Sequence, residues 1–103
     1  MKPSDLPRKL PHDGKGYRKQ IRMHLNFGRA GGAATYTIHG PKGEKLPIEY
    51  QYDTRDKSGE STGFFIEGVK EGNNLNALDR RFPTWAAVVA YWPVYLKSKG
   101  EQP

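Results

Sequence analysis

Arg18, Gln20, Arg22, His24 and Asn26 stand at every second position of one stretch, and Thr35, Thr37 and His39 repeat that spacing a few residues later. In extended chain, residues two apart share a face. The set is rich in donors and cations and poor in carboxylates. Arginine offers a planar fork to phosphate oxygens, while Gln, Asn and Thr hydrogen-bond to sugar or base edges. Phe65 adds a ring on which a base can stack. Lys9, Lys15 and Arg29 extend the positive charge around this stretch. Solvated strands also use Thr and Arg for their strand propensity alone, so a plain polar face has the same signature.

Other chemistries find less support. Gly28-Arg29-Ala30-Gly31-Gly32 offers backbone N–H groups to an anion, yet it opens no helix and lacks GK[ST], so it reads as a hairpin turn. Of His12, His24 and His39, only the last two fall on one expected face, and no third ligand accompanies them, so no metal site is expected. The absence of cysteine excludes disulfides, thiolate zinc sites and a thiol nucleophile. Asp53, Asp56 and Glu60 are interleaved with Arg55 and Lys57, a charge mixture whose spacing does not match a calcium loop. No nucleophile or acid–base pair is recognisable, so the expectation is a binding protein without a cofactor rather than an enzyme.

These side chains need a sheet to hold them. Tyr17, Ile21, Met23, Leu25 and Phe27 alternate with the polar set and predict a first strand with two unlike faces, Lys19 being the one exception on the apolar side. Ala34, Tyr36 and Ile38 predict a second strand, placed so that Arg22 lies beside His39, His24 beside Thr37 and Asn26 beside Thr35. Gly40-Pro41-Lys42-Gly43 is a turn by composition, Leu46 to Tyr52 a third strand, and Gly63 to Val69 a fourth. Residues 70–81 are expected as a connection with one helical turn around Leu75 and Leu78. Trp85, Val88, Val89, Trp92 and Leu96 then mark one side of a helix over residues 82–98, kinked at Pro93 and stopped at Gly100. The expected architecture is α+β, a four-stranded antiparallel sheet (ββββα) with the C-terminal helix packed on its apolar face and the polar face open.

The chain has 103 residues, suited to one domain at 17–100 behind a flexible basic arm at 1–16. Its formal net charge of +6 is one-sided. Lys2, Arg8, Lys9, Lys15, Arg18, Lys19, Arg22 and Arg29 face only Asp5 and Asp13 within residues 1–29, and the remainder is neutral. Such asymmetry points to nucleic acid or another acidic surface. No apolar run is long enough for a membrane span and the N-terminus lacks a signal-peptide centre, so a cytoplasmic protein is expected.

Two resemblances follow. The ββββα order, the basic first half and Pro83-Thr84-Trp85 at the helix start resemble the PC4-type single-stranded-DNA-binding coactivators and PUR repeats. That implies single-stranded DNA or RNA bound on a curved sheet, with a homodimer as the common form. Gly63-Phe64-Phe65-Ile66 and Phe82-Pro83-Thr84-Trp85 through Trp92 resemble the closing part of SH2 domains, which implies phosphopeptide binding. His24-Leu25-Asn26-Phe27-Gly28-Arg29 lacks the arginine that binding needs at the matching strand position. The alternative to nucleic-acid binding is a protein-interaction module, either SH2-like or a small phage or mobile-element type of modulator acting on a host protein.

Overall fold

The computed structural model describes residues 6–72 and 76–100. Strands β1 (Arg18–Asn26), β2 (Gly32–His39), β3 (Lys45–Asp53), β4 (Gly63–Lys70) and β5 (Asp79–Phe82) precede one helix, α1 (Trp85–Ser98). The strands lie in chain order in one open antiparallel sheet, with β1 and β5 at its edges. The class is α+β with a C-terminal helix, but the sheet has five strands rather than four. β5 escapes a periodicity search because it is four residues long and buries only Phe82, which sits opposite Phe64. Leu78, expected to be tucked in, is 78% exposed, and Leu75 lies outside the described residues. Among the described residues, no helix is long and apolar enough to cross a membrane.

The first hairpin pairs in a different register from the one expected. His39 lies opposite Arg18 and Thr37 opposite Gln20. A short 3-10 turn at Gly28–Ala30, closed by the Phe27 N–H on the Gly31 carbonyl at 2.8 Å, makes the connection tighter than the expected pairing allowed. A β-bulge then falls between Ile21 and Met23. Beyond it, His24 pairs with Ala34 and Leu25 with Ala33. One extra residue exchanges the faces of everything that follows.

Helix α1 begins at a Thr84 cap, whose Oγ1 accepts the Ala87 N–H at 3.2 Å, and ends where Gly100 takes a φ of 83°. It continues through Pro93 without a break, so the expected division into two segments does not occur. Val88, Trp92, Tyr95 and Leu96 are its buried residues, while Trp85 and Val89 are half-buried. They meet Ile38, Leu46, Ile48, Ile66, Val69 and Phe82 of the sheet. The helix lies over β4 and β5.

That placement leaves β1 uncovered. All nine of its residues are exposed, including Ile21, Met23 and Leu25 at 54%, 51% and 42%, which were expected beneath the helix. Met23 and Leu25 are turned by the bulge to the side away from α1, opposite Thr35 and Ala33, while for Ile21, opposite Tyr36, the reason is width. A helix is about 10 Å across, whereas five strands at about 4.8 Å spacing span roughly 19 Å.

The groove beside the helix is filled from the N-terminus. Residues 6–16, expected as part of a flexible arm, run along α1 as a strap. The Trp92 indole donates to the Pro7 carbonyl and the Trp85 indole to the Pro11 carbonyl, both at 2.7 Å. Leu10 between them is 5% exposed and belongs to the core. A buried indole needs an acceptor, and proline supplies a carbonyl without a competing N–H. Residues 1–5 lie outside the described residues.

Trp92 is fully buried, so Trp92→Ala should cost about 3–5 kcal/mol, and Leu10→Ala about 2–5 kcal/mol, in urea unfolding. An unchanged unfolding midpoint for Leu10→Ala would show that the strap is not part of the cooperative fold.

Candidate nucleic-acid interface

The two sides of the sheet differ in how their charges are used. Direct cross-strand partners share a side, so Gln20, Thr37, Glu49, Phe65 and Arg81 fall on the side away from α1. Arg18 and His39 open this row. Arg22, at the bulge, reaches across β2 to form an ion pair with Glu49 on β3. Thr37 is only 4% exposed and so offers little to a ligand. The His39 ring Nδ1 lies 3.2 Å from the Gly43 carbonyl and is engaged in its own turn. Phe65 is half-buried and lines a shallow depression with Arg22, Glu49, Glu67 and Lys70. On this side, cations and carboxylates largely answer one another.

His24 and Asn26 lie on the opposite side, because the bulge reverses the alternation. Asn26 Oδ1 accepts the Gly28 N–H at 2.9 Å and serves the turn. Arg29 is exposed in that turn, at the end of the sheet. Lys9 and Lys15 are exposed on the strap, which runs along the helix. The expected set of eleven residues is therefore divided between two sides and an edge rather than gathered on one surface.

What the helix side gathers instead is aromatic. Tyr36 is opposite Tyr50, and Tyr50 opposite Phe64. Ring centroids lie 6.3 Å apart for Tyr52–Tyr36 and Tyr36–Tyr50, 4.9 Å for Tyr50–Phe64, 5.7 Å for Phe64–Trp85 and 5.9 Å for Trp85–Tyr17. All six are half-buried, a continuous row that starts beyond the reach of the helix and ends beneath the strap. The Lys19 ammonium stands 4.6 Å from the Tyr50 centroid and 5.4 Å from that of Tyr36. Partial burial, then the neighbouring Tyr52 hydroxyl, pushes the Tyr36 phenol above its ordinary pKa.

The potential over this row follows from sequence. Between Asp13 and Glu44 there is no acidic residue, while Lys15, Arg18, Lys19, Arg22, Arg29 and Lys42 all fall there. β1 and β2 are thus positive without internal compensation. The tyrosines gave no functional signal in the sequence because half-buried Tyr has the same alternation as core. Lys19 on the apolar side was the only irregularity that marked the place.

No family model matches the chain, and no curated protein or solved structure matches it. The geometry stands by itself.

The end of the row next to the first turn is braced by the β3–β4 loop. The Arg55 guanidinium lies 3.7 Å from the Phe27 ring centroid, and Thr54 Oγ1 accepts the Gly32 N–H at 2.7 Å. Gly31 is required there, because a Cβ would come within 2.3 Å of Thr54 Oγ1 at a φ of 118°. Within the loop, Asp56 accepts the backbone N–H and hydroxyl of both Ser58 and Ser61. These bonds hold its carboxyl down at about 2, against an ordinary 3.8. A depressed folded-state pKa gives a contribution to stability that is complete above the unfolded value and lost as pH falls through the folded one. The loop should therefore keep its form through pH 4 and loosen as the pH approaches about 2. A carboxyl-carbon NMR titration of Asp56 checks this, and a midpoint at the ordinary value would contradict the loop geometry.

Proposed function

We propose that the protein binds single-stranded nucleic acid by laying bases on Tyr52, Tyr36 and Tyr50, on the part of the helix side that α1 leaves uncovered. The observation that carries this reading is the aromatic row of Tyr36 on β2 with Tyr50 and Tyr52 on β3, with Lys19 of β1 over it; β1 and β2 contain no carboxylate, and Glu49 and Asp53 of β3 fall on the other side of the sheet. Stacking accepts any base, and the surrounding cations meet phosphates without reading sequence. A duplex hides the faces of its bases and gains only the charge term. The polar side, where the sequence places the binding surface, is the weaker candidate, since Arg22 is held by Glu49 and Thr37 is covered.

A protein partner is the second reading, and one observation favours it. β1 is a nine-residue edge strand with Ile21, Met23 and Leu25 exposed, which suits an added strand from another chain. A phosphopeptide site of the SH2 kind finds less support, because Arg22, the arginine inside β1 beyond its first residue, is already paired.

Fluorescence anisotropy with labelled oligothymidylate, in a salt titration, separates these readings. Tyr36→Ala should weaken single-strand binding by roughly 1–3 kcal/mol with a smaller effect on duplex. Arg22→Ala should change single-strand affinity little, because its charge is spent within the protein. If the parent protein binds no nucleic acid at moderate salt, the proposal fails and the β1 edge becomes the surface to pursue.

A further inference from the structure

The aromatic row has two unlike ends. Beyond Tyr52 and Tyr36 stand the exposed Asn26, Thr54 and Arg55. At the other end, Gly14, Tyr17, Arg18, Lys19, Ile38, Phe64 and Trp85 enclose a groove of about 190 Å³. Phe64 and Trp85 belong both to the row and to the groove wall, and Lys19 stands over Tyr50 while lining the groove. The groove is therefore the last position of the row.

Its far side is closed by the strap. Gly14 lies so near the Trp85 indole that a Cβ there would be 3.5 Å from Nε1, and the same nitrogen donates to the Pro11 carbonyl. The Gly14 N–H bonds the Pro11 carbonyl at 3.1 Å and the Tyr17 N–H bonds the Gly14 carbonyl at 2.9 Å, which fixes this end as a tight turn. A chain of stacked bases passing along Tyr52, Tyr36 and Tyr50 cannot continue beyond Trp85 without displacing a segment tied to the core. The lining residues include two cations and no carboxylate, so the closed end of an apolar row is also positive. Two acids lie close by: Asp13, next to Gly14 in the strap, whose Oδ1 accepts the Lys15 N–H, and Glu44 on the β2–β3 turn, whose Oε1 accepts the Lys42 N–H.

Resting on the single-strand reading above, the geometry points to a site for the end of a strand: the terminal base packs against the wall formed by Phe64, Trp85 and Tyr17, and its terminal phosphate meets Lys19 and Arg18, the first residue of the edge strand, which lines the groove although its cross-strand partner His39 is on the other side. The ligand class is a linear single strand carrying a phosphate on one of its ends. An interior nucleotide fits poorly because its backbone must leave the groove on both sides, and one side is the strap.

Competition anisotropy on the full chain tests this with four oligothymidylate probes: linear with a phosphate on one end, linear with it on the other, linear without, and ligated into a circle. One phosphorylated form should bind about tenfold more tightly than the unphosphorylated form, the worth of a charge-assisted contact. The circle should be the weakest, and replacing both cations (Arg18→Gln with Lys19→Gln) should bring the phosphorylated to unphosphorylated ratio close to one. A circle that binds as tightly as the best linear probe overturns end recognition while the single-strand reading stands. A phosphate preference that survives the Arg18→Gln, Lys19→Gln double variant overturns the placement of the end in this groove. Failure of all four probes to bind overturns the single-strand reading and this inference together.

Discussion

The structure depends on one narrow helix having to seal a wide sheet. α1 has 14 residues, long enough to run the length of the strands and too slim to cover their number. Trp92 at its centre is fully buried, and burial obliges its N–H to find an acceptor. The strap supplies that acceptor from Pro7, and Leu10 follows it into the core. The helix, the strap and β3 to β5 therefore form one packed body. β1 and the near part of β2 extend from it like a brim.

Electrostatics follows the same division. On the side away from the helix, β1 faces Glu49 of β3 and Arg22 is answered there. At the edges and loops, Lys70 pairs with Asp79 and Arg55 with Asp53. These exposed pairs contribute little to stability, but they remove local charge from solvent. Among the described residues the brim's helix-facing side has no such partner, and Tyr36, with Tyr50 and Tyr52 beside it on β3, gives it apolar area as well as hydroxyls. A surface that is both positive and aromatic suits a ligand with negative linkages and flat rings.

The parts of the fold that were legible in the sequence are those with a long, consistent period: the first four strands, the helix with Trp92 and Leu96 turned inward, and the Gly40–Gly43 turn. The parts that were not have specific causes. β5 is too short to show a period, and the strap is proline-rich chain whose order comes from distant indoles rather than from local preference. The bulge at Arg22 is a single inserted residue with no compositional mark, yet it sends His24 and Asn26 to the other side. The site suffered most from this, since Arg18, Gln20 and Arg22 stayed together while their expected neighbours left. Tyr36, Tyr50 and Tyr52 fall on the apolar alternation of their strands, and alternation says which side a residue takes, not whether anything covers that side.

The strap sets an order on synthesis. It leaves the ribosome before α1, but its acceptor carbonyls bond to side chains 74 and 85 residues further along. Contacts of that separation are the last that a growing chain can make. Until α1 emerges, the sheet's apolar side has neither helix nor strap over it, and the nascent protein displays more aromatic surface than the finished one. The basic residues of the first third are exposed through the same interval, and their mutual repulsion works against association between unfinished chains. The charge of the first third thus serves as a solubilising device during assembly.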